Sequence, residues 1–151
     1  MARGETDRGG EREKMKTKLE NTWRRPQSLA EAVERAETRA DIGDNLEDFL
    51  DHVNLLVKQR ATRRKLAGAI RREPARTGVA AQDAYLAAVA AHLANTWRLP
   101  APRWADQPGR RLKRPWFALP DAWARAWLLR DSPAAFRERN LFTEENPLRR
   151  A

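Results

Sequence analysis

Apolar side chains recur at helical intervals along most of this chain, and no stretch alternates in the manner of a β-strand. The strongest pattern lies within residues 44–57. It consists of Leu46, Phe49, Leu50, Val53, Leu56 and Val57. These positions follow the i, i+3, i+4, i+7 spacing of an amphipathic helix. Asp44 is expected to cap this helix, where a carboxylate is favoured by the partial positive charge of a helix N-terminus.

Start and stop signals predict two further helices in the first half of the chain. Ser28 and Glu31 form a capping box, so a helix should begin there, and Ile42-Gly43 should end it. A helix over 62–72 carries apolar residues at Leu66, Ala69 and Ile70, although Gly68 weakens it. Pro74 ends this helix because proline cannot donate the next backbone hydrogen bond.

The second half of the chain alternates between helices and a proline-rich segment. Residues 82–97 form a stripe of Tyr85, Leu86, Val89, Leu93 and Trp97 among many alanines. Five of the nine prolines fall within 98–120, which predicts an ordered but irregular segment. A helix over 121–129 follows. Ser132-Pro133 then starts a last helix that should stop near residue 140, after which residues 141–142 should fold back onto the core.

Together these patterns predict an all-α fold, a compact bundle of five to six helices with a Pro/Trp-rich irregular segment. Residues 1–27 are highly charged and are expected to be a disordered or loosely helical tail, with a thin stripe at Met15, Leu19 and Trp23. Residues 28–151 are expected to form a single domain, with helices in 28–76 and a Trp-rich half in 82–151.

Composition narrows the class of protein. The chain has 151 residues and no cysteine, so disulfides, thiolate metal sites and a cysteine nucleophile are excluded. It has no run of about 18 apolar residues and no apolar segment near its start, so neither a membrane span nor a secretory signal is expected. The sequence therefore predicts a cytoplasmic protein that does not associate with membranes.

The formal net charge of +9 is distributed in blocks. Residues 41–57 contain five acids and no base, residues 58–76 contain eight bases and one acid, and residues 98–115 contain six bases and one acid. Basic blocks of this kind suit polyanions or acidic partners. The alternative is a solvated face, or one that is neutralised by the acidic block at 41–57.

Candidate catalytic groups are few, and no enzyme activity, cofactor or metal site is predicted. Ser28 and Ser132 are better explained as helix caps than as nucleophiles, because neither lies in a glycine-rich elbow. His52 and His92 each sit on a predicted helix without a second ligand at metal-binding spacing. A surface cluster explains His52, and a buried, hydrogen-bonded side chain explains His92.

The two basic blocks support nucleic-acid binding as an alternative function. In the basic segment 58–72, a helix that carried Arg60, Arg63, Arg64, Arg71 and Arg72 would have a wide cationic face, and such a face binds phosphates independently of base sequence. The candidate residues are Lys58, Arg60, Arg63, Arg64, Lys65, Arg71, Arg72, Arg110, Arg111, Lys113 and Arg114.

Tryptophan is abundant, with six residues, five of which follow residue 90. Interleaving with arginine would suit a stacking surface for single-stranded nucleic acid. The helical spacing of Leu93 with Trp97 and of Trp123 with Trp127 instead favours a core in which large indoles fill the space left by small alanines.

Several motifs in residues 84–142 resemble the C-terminal region of Xre-type helical regulators and antitoxin-like proteins of high-GC bacteria. They are "AYLAAVAAHLA", "LPAPRW", "RPWF" and "SPAAFRERNLF". The resemblance implies a non-enzymatic module that binds a cognate protein, which in that family is a nucleotidyltransferase-like toxin. No helix-turn-helix is predicted before residue 84, so the family's DNA-binding function is not implied.

The function predicted from the sequence is therefore binding of a cognate protein by an antitoxin-like or regulatory accessory module. The expected partner-binding residues are Trp116, Phe117, Phe136, Arg137, Arg139, Asn140 and Phe142. The arginines would fork onto partner carboxylates, and the aromatic residues would act as anchors. Neither the partner's identity nor the oligomeric state follows from the sequence.

Overall fold

A computed structural model describes residues 24–149 and shows a mostly helical protein, which confirms the predicted fold class. Its helices are α1 (Leu29–Glu34), α2 (Asp41–Lys58), α3 (Arg63–Arg71), α4 (Ala80–Thr96), α5 (Ala122–Asp131) and α6 (Ala134–Arg137). Two 3₁₀ turns (Arg103–Asp106, Pro108–Arg110) and a parallel pair of two-residue strands, β1 (Trp116–Phe117) and β2 (Leu141–Phe142), complete the order. The predicted helical stripe before residue 24 lies outside the described residues. Among the described helices, none is both long enough and apolar enough to cross a membrane.

The first helix begins at the predicted cap residue, Ser28, but its end and the start of the second helix differ from the prediction. The Ser28 hydroxyl accepts the Glu31 N–H at 3.1 Å, but the Glu31 carboxylate accepts from Gln27 rather than from the cap residue. The predicted end at Ile42-Gly43 is wrong, because α1 ends at Glu34 and Ile42 is buried inside α2. Asp41 sets the start of α2, since its carboxylate accepts the Thr38 N–H at 2.9 Å in the preceding turn.

The core is built around α4, which is buried on nearly every side. Consecutive positions from Leu86 to Ala91 are all buried, so this helix has no solvent-facing stripe over that length. Alanine allows this because neighbouring backbones can approach a helix that lacks long side chains. The same core cluster contains Leu29, Phe49 and Phe136, so the two halves of the chain pack together.

Two helices end in the same C-terminal motif, with an arginine where glycine is usually found. Arg60 and Arg98 have φ angles of 54° and 56°, in the left-handed region. In each motif two backbone N–H groups, that of the arginine and that of the next residue, donate to carbonyls of the last helical turn. After α2, for example, the Arg60 N–H donates to the Val57 carbonyl and the next N–H donates to the Leu56 carbonyl. Holding a side chain other than glycine in this conformation costs about 1 kcal/mol per residue.

The end of α5 is fastened to β2 by Ser132. Its hydroxyl donates to the Leu128 carbonyl at 2.6 Å and accepts the Thr143 N–H at 2.8 Å. The prediction that Ser132 caps the start of the last helix is wrong, because Pro133 occupies that position; Ser132 is instead the residue that caps the end of α5. The predicted return of residues 141–142 onto the core is confirmed, and both side chains are buried.

Replacing Gly68 by alanine is expected to stabilise the protein by about 0.5–1 kcal/mol. Gly68 lies inside α3, and a Cβ added there meets nothing within 4 Å. The gain comes from the smaller backbone entropy of alanine in the unfolded chain. Thermal unfolding checks it, with Gly78→Ala as the contrasting variant. Gly78 has a φ of +81°, so alanine there should lower Tm.

Candidate functional site

Four of the exposed large apolar side chains form a surface on and beside α5, here called the aromatic face. It consists of Trp116, Leu119, Trp123 and Trp127. Trp123 is 71% exposed and Trp127 is 44% exposed, and their rings stack with centroids 6.3 Å apart. Large apolar side chains are seldom grouped on a protein surface without a binding role, and paired tryptophans are typical anchors of protein interfaces.

The aromatic face lies beside two apolar grooves. One groove, of about 290 Å³, is lined by Trp116, Leu119 and Trp127 together with Tyr85. The other, of about 450 Å³, lies between the N-terminal ends of α2 and α4 and is also lined by Trp116 and Tyr85. These two aromatic rings therefore separate adjacent grooves, each of which has room for a side chain of a partner.

The larger groove contains a buried polar atom with no partner. The Gln82 amide nitrogen donates to the Arg39 carbonyl at 3.2 Å, whereas its Oε1 atom is buried and accepts no hydrogen bond within the described residues. A buried acceptor without a donor costs stability, and because Oε1 is closed to solvent a bound chain could not reach it unless the groove wall moved. Arg39, on the same rim, is exposed.

The surroundings of the aromatic face explain why it stays exposed. Helix α5 buries only Ala124 and Leu128, which pack with Phe142 and Phe117 in a small second cluster. The rings of Phe117 and Phe142 stack at 5.2 Å. Because Ala124 and Leu128 face inward, the tryptophans at the preceding positions are rotated toward solvent.

The prediction that the tryptophans after residue 90 are core residues is wrong for three of the five. Trp104 is buried, and its indole N–H donates to the Ile70 carbonyl at 3.0 Å, as a core indole should. Trp97 is half-buried, whereas Trp116, Trp123 and Trp127 are exposed. An i, i+4 pair fixes a common helix face but not which face is buried, so the sequence pattern did not separate these cases.

Three of the predicted partner-binding residues are internal. Phe136 is fully buried and meets Tyr85 and His92 edge to face, at 5.4 and 5.8 Å between ring centroids. Phe142 is buried in the second cluster. Arg139 is 1% exposed, so the expectation that it projects toward a partner is wrong.

The Arg139 guanidinium is satisfied within the fold. It donates to the carbonyl of Ala105 at 3.0 and 3.2 Å, to that of Ala135 at 2.8 Å, and to the Asp106 carboxylate at 3.1 Å. Burial lowers the pKa of Arg139, although Asp106 opposes this shift. Its donors are therefore committed to joining the first 3₁₀ turn to α6.

Of the other predicted partner-binding residues, some are exposed and some form hydrogen bonds within the fold. Trp116 is exposed and belongs to the aromatic face, and Phe117 is half-buried beneath Arg125. Arg137 is exposed, yet it donates to the carbonyls of Arg130 and Ser132 at the end of α5. Asn140 adopts a φ of 62° and donates to the Leu112 carbonyl at 2.9 Å, which holds the strand pair in place.

The candidate nucleic-acid residues are also divided. Arg110 is fully buried, with its guanidinium directed to the Asp83 and Pro74 carbonyls and the Glu73 carboxylate, so it is not available for phosphate. Arg72 pairs with Glu34.

Other candidate cations remain on the surface. Arg111 bonds to the Glu138 carbonyl and the Asp106 carboxylate. Lys113 and Arg114 are exposed. Arg60 follows α2 and precedes α3, so the prediction that it shares one helix with Arg63 and Arg64 is wrong. Within the basic block 58–76, Arg72 pairs with Glu34 and Arg76 pairs with Glu73, and both of these acids lie outside 41–57.

The candidate catalytic groups are dispersed. Burial is the main cause that lowers the pKa of both His52 and His92, which favours the neutral ring in each. Lys65 adds to the shift at His52 through its charge. Within residues 24–149 no group of three potential ligands is placed to hold a metal ion.

No family model matches the sequence, and no curated protein or solved structure shows significant similarity to it. The resemblance to antitoxin-like regulators over residues 84–142 therefore stays a prediction.

Proposed function

We propose that this protein is a non-enzymatic module that binds a cognate protein through its aromatic face, as an antitoxin-like or regulatory accessory protein would. The observation that carries the proposal is the stacked pair Trp123 and Trp127, exposed beside the groove that Trp116 and Leu119 line. Tryptophans dominate the binding energy of protein interfaces because each buries a large rigid area at low entropic cost.

The proposed contact surface lies on α5 and differs from the α6 region that the sequence favoured. Of the residues first expected to touch a partner, Trp116 remains at its centre and Phe117 lies underneath. Leu119, Trp123 and Trp127 are added, while the buried Arg139 is withdrawn. A partner segment with two or three apolar side chains would fill the grooves on both sides of Trp116.

The double substitution Trp123→Ser and Trp127→Ser is expected to weaken partner binding by at least about 100-fold, because hot-spot tryptophans contribute about 2 kcal/mol or more each. The fold should persist, since both side chains are largely exposed. The native protein is used to capture its partner from cells that express it, with nuclease treatment of the bound material and quantification by mass spectrometry.

The matched control is Leu55→Ser with Val57→Ser, two exposed apolar residues of α2. A stoichiometric protein that survives nuclease, is lost with the tryptophan variant and is kept by the control supports the proposal. Equal capture by both variants would refute it. If light scattering instead shows a dimer that the tryptophan variant cannot form, the occupant is a second copy and the proposed cognate protein is excluded.

A further inference from the structure

A second surface, remote in sequence from the aromatic face, carries positive charge with no opposing carboxylate. We call it the basic face, and it consists of Lys58, Arg60, Arg63, Arg64, Arg71 and Arg98, all exposed. Within the described chain, none of these six side chains lies within 4.0 Å of an acidic group. The cations that do pair nearby, Arg72 and Arg76, pair with Glu34 and Glu73.

The fold gathers the members of the basic face from two separate parts of the sequence. The Arg63 guanidinium donates to the Arg98 carbonyl at 2.7 Å, which places the end of α4 against the start of α3. Arg60 and Arg98 occupy the left-handed positions that follow α2 and α4. On α3, Arg64 and Arg71 lie two turns apart on the same side, about 10 Å along the helix axis.

The negative ends of two helices explain part of the positive charge of the basic face, but not all of it. The C-termini of α2 and α4 each carry about half a negative charge, and cations near them are stabilising. Two such termini offset about one of the six positive charges. The remainder is unopposed, and Arg60 and Arg98 occupy positions where glycine would hold the backbone with less strain.

We propose that the basic face binds the phosphate backbone of duplex nucleic acid without reading base sequence. Arginine forms two parallel hydrogen bonds with a phosphate, and five of the six members are arginine. Residues 57–72 contain no aromatic side chain, and Trp97, next to Arg98, is half-buried, so stacking on single-stranded bases is not expected. The absence of an aromatic anchor among its members also disfavours a protein partner there. This proposal does not depend on the aromatic face.

The test exploits the backbone conformation of Arg60 and Arg98. Replacing both by glycine removes two cations but relieves two left-handed residues, so Tm should stay the same or rise. Loss of binding in this variant cannot then be attributed to unfolding. The binding of a short mixed-sequence DNA duplex to the full chain is measured by fluorescence anisotropy at several salt concentrations.

The unmodified protein should bind the duplex with an affinity that falls steeply with salt. The Arg60→Gly, Arg98→Gly variant should bind at least about tenfold more weakly at low salt, with a log–log salt slope smaller by about 2. The control, Lys113→Gln with Arg114→Gln, removes the same charge from exposed positions outside the basic face and should leave both quantities near those of the parent.

Three results would overturn the proposal. One is no duplex binding by the parent at low salt. A second is equal weakening by the glycine and glutamine variants, which would show a dependence on net charge alone. A third is binding to phosphatidylserine vesicles or to poly-glutamate as tight as binding to the duplex, since this would point to a membrane surface or an acidic protein instead.

Discussion

Replacing Arg139 by alanine is expected to destabilise the folded protein by about 3–5 kcal/mol, a large fraction of the stability of an ordinary domain. The substitution removes four hydrogen bonds from a site that is almost closed to solvent. The carbonyls of Ala105 and Ala135 would lose their side-chain donor in a buried place, and a cavity would form where the guanidinium was.

Urea unfolding measures this loss, and Arg137→Ala is the matched control. Arg137 is two residues away and donates to two carbonyls as well, but it is exposed, so its removal should cost at most about 1 kcal/mol. If the two variants lost the same stability, the burial of Arg139 would not be the reason for its effect. A loss confined to partner binding, with the fold intact, would restore Arg139 as a contact residue.

Phe136→Ala is expected to cost a similar amount, about 3–5 kcal/mol. Phe136 is fully buried in the main core, where its ring touches the edges of Tyr85 and His92. Alanine would leave a cavity next to α4, whose alanines have no side chains long enough to fill it. Thermal or urea unfolding monitored by circular dichroism provides the measurement.

Two comparisons separate packing from partner recognition at this position. Phe136→Leu keeps most of the volume and should cost distinctly less than alanine. Trp123→Ala removes a larger ring from an exposed site and should change the free energy of unfolding by about 0.5 kcal/mol or less. Equal losses for Phe136→Ala and Trp123→Ala would contradict the assignment of one to the core and the other to the surface.

The helical part of the fold was predictable because its signals are local. In α2 the periodic stripe is long, and the structure buries Leu46, Phe49, Leu50, Val53 and Leu56. Val57 is exposed although it follows the same spacing, whereas the neighbouring Leu56 is buried. Thr62 caps α3 close to its predicted start, with its hydroxyl accepting the Lys65 N–H.

The candidate sites were less predictable because burial depends on contacts between distant segments. Arg110 and Arg111 are adjacent and equally basic, yet one is fully buried and the other exposed. The difference arises because Arg110 donates hydrogen bonds to Glu73, Pro74 and Asp83, which lie about 30 residues earlier in the chain. No local pattern in the second basic block indicates this.

The attachment of α5 has a consequence for how the molecule opens. This helix buries only Ala124 and Leu128, in a small cluster, and Ser132 ties its end to Thr143 after β2, whereas α4 is buried on nearly every side. Detaching α5 should therefore require less free energy than global unfolding, and its amide protons should exchange with solvent before those of α4. A partner seated on Trp123 and Trp127 would bind only the attached form and so would slow that exchange in proportion to its affinity.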